Sequence, residues 1–135
     1  MTSENSKFMA ALELAMRFPG VELGTSYGTP AIKVNGKSMA RLRSEAEGWL
    51  AIRCDFLARD MLLQAAPEVF HLTDHYREYP MILVDLAKIR KAALLDILEQ
   101  AWRLTATKRL IREYEERRAS RGCTKGRLRI RQRSV

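Results

Sequence analysis

Residues 31–42 read AIKVNGKSMARL, two short alternating segments hinged on Asn35-Gly36, and the register of that hinge decides which face of a sheet carries charge. Side chains alternate along a strand, and residues opposed across a hairpin share a face. Asn-Gly by itself signals a two-residue turn. That turn opposes Ile32 to Met39 and Val34 to Lys37, and it sends Arg41 and Arg43 to the side of Ile32 and Val34. Burying two arginines without partners is costly. A three-residue loop, residues 35–37, instead pairs Val34 with Ser38, Ile32 with Ala40 and Lys33 with Met39. This second register is the expected one: Ile32, Val34, Ala40 and Leu42 look inward, while Lys33, Met39, Arg41 and Arg43 share the outer face.

The same division continues in WLAIRC, residues 49–54, with Leu50, Ile52 and Cys54 on one side and Trp49, Ala51 and Arg53 on the other. Asp55 is placed to cap a helix FLARDMLLQA that Pro67 stops. VFHLT and MILVDL follow as two strands, and the second is apolar enough to be a central one. Upstream, Phe8, Ala11, Leu12, Ala15 and Met16 recur at helical spacing, which predicts a helix over residues 6–18 ended by Pro19-Gly20. VELGTSYGTP reads as a short extended segment and a turn. A last helix is expected over residues 88–117, its stripe of Ala93, Leu94, Ile97, Leu98, Ala101 and Leu104 covering the sheet. The fold class expected is therefore α/β of the α+β kind, an antiparallel sheet packed by helices.

A chain of 135 residues with 47% apolar content has the size and composition of one globular domain. Its net charge of +8 is unevenly spread. From Arg118 onward there are seven basic residues and no acid, which leaves 17 basic against all 16 acidic residues before it. The expected division is a folded domain over 1–117 and a disordered basic tail over 118–135. Glu4 and Glu13 interrupt the N-terminal apolar residues, so neither a signal nor a transit peptide is expected. No apolar run approaches the roughly 20 residues that cross a bilayer. Two cysteines, Cys54 and Cys123, make neither a disulfide framework nor a zinc spacing. A cytoplasmic protein is the expectation.

The residues that carry chemistry are chiefly basic. Lys33, Lys37, Arg41, Arg43 and Arg53 on the sheet, with Arg127, Arg129 and Arg131 in the tail, are the candidates for contact with a nucleic-acid backbone, whose counterions such cations displace. A solvated basic surface is the plainer account of the same strands. His75, Tyr76, Arg77 and Tyr79 form a candidate recognition loop, since Tyr and Arg beside a rigid strand suit a binding surface. His71, Asp74 and His75 lie close in sequence, but a strand and a loop do not bring two histidines four apart onto one face, and no third ligand follows. No nucleophile elbow, phosphate-cradling glycine loop or paired metal carboxylates occur. No enzyme, metal or cofactor is expected.

FPGVELGTSYGTPAIKVNGKSMARL, WLAIRC, FHLTDHYREYPMILVDL and LEQAWRLTATKRL stand in the order and spacing of the MmcQ/YjbR family, which the chain resembles over about residues 8–110. The resemblance implies a frataxin-like (CyaY-like) α/β architecture and a DNA-binding role ascribed to a double-wing motif. Frataxin-like folds also admit iron binding along an acidic first helix; here that helix has few acids and begins with Lys7. DNA is thus the expected partner. The rival expectation is a protein-interaction module, homodimeric or otherwise, that uses the 74–79 loop and has no membrane association.

Overall fold

The computed structural model describes residues 3–26, 28–44 and 49–126. Helix α1 (Ser3–Ala15) leads into strands β1 (Val21–Ser26), β2 (Thr29–Val34), β3 (Lys37–Ser44) and β4 (Trp49–Arg53). Then come α2 (Phe56–Ala65), β5 (Phe70–His71), a 3₁₀ turn (Asp74–Tyr76), β6 (Met81–Asp85), α3 (Lys91–Thr105) and α4 (Lys108–Gly126). The strands form one antiparallel six-stranded sheet in the order β1-β2-β3-β4-β6-β5. The expected α+β class, an antiparallel sheet packed by helices, is what the chain adopts.

The β2–β3 hairpin corrects the expected loop. Asn35 (φ 51°) and Gly36 (φ 82°) make a two-residue turn, and Val34 opposes Lys37 while Lys33 opposes Ser38. Positive φ at both central residues is the turn whose twist matches the flanking strands. One residue later the register shifts, so that Ile32 opposes Ala40 and Ala31 opposes Arg41. Met39 is the extra residue of this bulge, and both Met39 and Ala40 are fully buried in the core. Met39 is therefore not on the outer face. The bulge satisfies both the local turn preference and the need to keep Arg41 out of the apolar interior. A Cβ at Gly36 meets nothing within 4 Å, so Gly36→Ala costs backbone strain alone. We expect a loss of about 1 kcal/mol in urea denaturation, with the fold unchanged.

The main core lies between the sheet and the helices, where Phe8, Ile32, Met39, Leu42, Leu50, Ile52, Ile82, Val84, Leu98 and Trp102 are sealed from solvent. At α2 the Asp55 carboxylate accepts from the Ala58 amide at 2.8 Å, the expected cap. The single helix expected over 88–117 is instead two. Ala106 is extended (φ −73°, ψ 156°), and the Thr107 hydroxyl accepts from the Leu110 amide at 3.2 Å, restarting the helix as α4. Tyr114 anchors α4 against Phe18 and Trp102 at ring distances of 5.3 and 5.1 Å. Arg103 ties Glu99 to Glu115, and Arg118 reaches Glu99 at 3.6 Å. The boundary expected at residue 117 thus falls inside α4, whose backbone is helical to Gly126. The rest of the expected tail, including Arg127, Arg129 and Arg131, lies outside the described residues.

Candidate nucleic-acid interface

The face of the sheet away from the helices has a second, smaller core: Ala51, Tyr76 and Leu83, with Trp49, Leu72 and Met81 packed around them. Its ordering follows from register. Ala31, Arg41, Ala51, Leu83 and His71 oppose one another in turn across β2, β3, β4, β6 and β5. The segment between β5 and β6 folds back over this row, so Tyr76 of the candidate recognition loop is only 6% exposed. The members it presents to solvent are Arg77 and Tyr79. Arg77 is paired with Asp74 at 2.9 Å, an exposed contact of small energetic weight. His75 lies within the 3₁₀ turn.

The basic residues sort into two groups. Lys33, Arg41, Arg43 and Arg53 sit half-buried around the small core. Lys37 does not join them: opposed to Val34, it stands exposed at the hairpin tip on the helix side. Arg41 donates from Nη1 to the Thr29 hydroxyl at 3.4 Å and from Nη2 to the Tyr76 hydroxyl. The Arg43 guanidinium lies over the Trp49 ring at 5.9 Å. Arg53 donates to the Ser38 carbonyl at 3.4 Å. These contacts orient the three guanidinium groups on the outer face. Among the described residues, register sets Glu22 across from Lys33 and Asp85 across from Trp49.

Two residues acquire roles that sequence reading did not assign. His71, weighed as a ligand with Asp74 and His75, stacks on Trp49 at 4.3 Å with the rings 1° from parallel. β3 borders β4 on one side and β5 lies beyond β6 on the other, so the indole stands between Arg43 and His71. Among the described residues no group of three or more His, Cys, Asp or Glu is placed to hold a metal ion. The second is Arg59 of α2, 6% exposed. Its Nη1 donates to the carbonyls of Tyr79 (2.8 Å), Tyr76 (3.3 Å) and Met81 (3.4 Å), and its Nη2 to that of Arg77 (3.0 Å). Its guanidinium also lies over Phe56 at 4.7 Å. One buried arginine thereby fixes the loop that places Tyr76 on Arg41. The available signal was an arginine one turn from Leu62 and Leu63 on the apolar side of a helix.

Cys54, the β4 end neighbour of Arg53, is buried. Burial, then the Asp55 carboxylate, push its thiol up to about 11 against the opposing Arg59 charge. At pH 8 the thiolate is scarce and shielded. We expect Cys54 to resist iodoacetamide in the native protein and to react fully in denaturant, read by mass spectrometry of the Cys54 peptide.

Among the described residues no helix is long and apolar enough to cross a membrane. No curated protein and no solved structure matches the chain. The YjbR family model matches residues 16–104, which takes in β1 to β6, α2 and nearly all of α3. The chain belongs to the YjbR family.

Proposed function

We propose that this chain binds nucleic acid, without catalysis, through phosphate contacts from the outer face of β2, β3 and β4. The observation that carries the reading is the placement of Lys33, Arg41, Arg43 and Arg53 around one small core, three of them oriented by hydroxyl, indole and carbonyl groups. Phosphate binding rewards cations that are already positioned, because less side-chain entropy is lost on contact. The DNA-binding role implied by the family resemblance agrees with it. The acid-free run of basic residues from Arg118 onward supplies further charge, with Arg127, Arg129 and Arg131 as an arm.

The test is fluorescence anisotropy of a labelled duplex across a salt series, with the full chain and with a chain ending at Gly126. Three or four phosphate contacts give a log–log slope of about −3. The shorter chain is expected to retain most of that slope. Absence of binding, or binding that vanishes with residues 127–135, contradicts an interface on the sheet.

A protein-interaction reading has its own observation. Phe56, Leu57 and Met61 on α2 leave large apolar side chains in solvent, Leu57 at 74% exposure, and Tyr79 stands exposed on the loop that α2 holds. A chain that fails to bind nucleic acid and loses a protein partner on Leu57→Glu supports that role instead.

A further inference from the structure

The two edges of the sheet differ. β5 closes one side with only two residues. β1 closes the other with six that pair with β2 without a register shift. Its sequence, VELGTS, lacks proline, lysine and any bulge, the devices that stop an edge from pairing with another chain. Leu23 opposes Ile32 on the helix side, yet it is 54% exposed where Ile32 is sealed. The outer side of the same strand carries Glu22 and Gly24, which oppose Lys33 and Ala31.

Gly24 has a specific environment. A Cβ there would lie 2.8 Å from Lys33 Cδ and 3.3 Å from Cε. The Lys33 stem, which starts from β2, therefore lies over Gly24 of the edge strand, and its ammonium is within reach of the free edge. Among the described residues Lys33 and Glu22 form no ion pair with each other.

We propose that a second copy of this chain pairs with the free edge of β1, antiparallel and two-fold symmetric about Leu23. A two-fold axis through the sheet keeps each side chain on its own face, so the centre must fall on a residue. Centring on Glu22 sets two carboxylates directly opposite one another, which is unfavourable. Centring on Leu23 opposes it to the partner's Leu23 on the helix side and covers both apolar side chains. The same register sets Gly24 opposite the partner's Glu22, where the Lys33 ammonium emerges. Two symmetric Lys33–Glu22 pairs then flank an apolar centre, and main-chain hydrogen bonds along the edge supply the adhesion. This charge complementarity is what selects a second copy as the occupant. The dimer joins two six-stranded sheets and makes their outer faces continuous, with Lys33 at the seam beside the basic group of each copy.

An edge contact of this size is small, so a dissociation constant on the order of 10–100 μM is expected. The test is sedimentation velocity of the full chain without nucleic acid, at concentrations spanning that range. Wild type is expected to dimerise, Glu22→Lys and Lys33→Glu each to be monomeric, and an equimolar mixture of the two variants to form a heterodimer in which both cross-chain pairs are attractive. Leu23→Glu, an exposed site, is expected to be monomeric with an unchanged circular dichroism spectrum. A monomeric wild type, single variants as dimeric as wild type, or a mixture that stays monomeric overturns the proposal. The readout contains no nucleic acid, so its outcome is independent of the phosphate-binding reading.

Discussion

Arg59→Met is expected to lower the stability of the chain by roughly 2–3 kcal/mol. Methionine fills much of the space but donates nothing, and the carbonyls of Tyr76, Arg77, Tyr79 and Met81 lose the donor they share. The Tyr76 and Tyr79 carbonyls keep the amides of Tyr79 and Met81 as partners, so the loss is that of the charged hydrogen bonds and of the tie between α2 and the loop, whereas the packing against Phe56 is partly kept. Arg59→Lys retains the charge but not the fork that reaches several carbonyls at once, so an intermediate loss is expected. Urea denaturation measures the size. Faster hydrogen exchange confined at first to residues 72–81 shows that the loop fails before the rest of the sheet. If Arg59→Met unfolds within 1 kcal/mol of wild type, the loop is held by something other than this arginine.

The double replacement of Arg41 and Arg43 by alanine is expected to weaken duplex binding by roughly tenfold to a hundredfold and to flatten the salt slope by about 1.8, two phosphate contacts being lost. Neither residue supports the main core. Arg41 bonds to the hydroxyls of Thr29 and Tyr76, and Arg43 covers one side of Trp49. Their loss is expected to cost about 1–2 kcal/mol of stability through the hydrogen bonds and the ring contact. Circular dichroism on the same samples separates lost contacts from lost fold. Replacing both by lysine keeps the slope within about half a unit, because counterion release counts charges rather than donors. Affinity unchanged in the alanine variant means the phosphates lie elsewhere.

Much of the architecture was legible because its signals are local. Asp55 ahead of an apolar helical run predicts a cap, and the Asp55 carboxylate accepts the Ala58 amide. Alternation in WLAIRC separates Leu50, Ile52 and Cys54 from Trp49 and Ala51, as the two cores do. Around Asn35-Gly36 two sound rules disagreed, the turn preference and the rule against burying Arg41. The bulge at Met39 reconciles them, and a bulge leaves no compositional mark. The break before α4 was marked by Thr107, a capping residue, but the apolar stripe running on through Leu110 and Tyr114 hid it. What the sequence could not show are pairings that only topology creates. Tyr76 reaches Arg41 across 35 residues, His71 finds Trp49 two strands away, and Arg59 meets a loop about 20 residues downstream. Within the candidate recognition loop, Tyr76 is buried and forms part of the support for the basic face, while Arg77 and Tyr79 are exposed.

The central claim is that a phosphate backbone lies on the outer face of β2, β3 and β4, and the most direct measurement is nuclear magnetic resonance titration of the ¹⁵N-labelled full chain with a short duplex. The account predicts shifts concentrated at Lys33, Arg41, Arg43, Trp49 and Arg53, together with the Trp49 indole NH, and little change on α2. Shifts centred on residues 56–61, or confined to residues beyond 126 with the strands unmoved, contradict it.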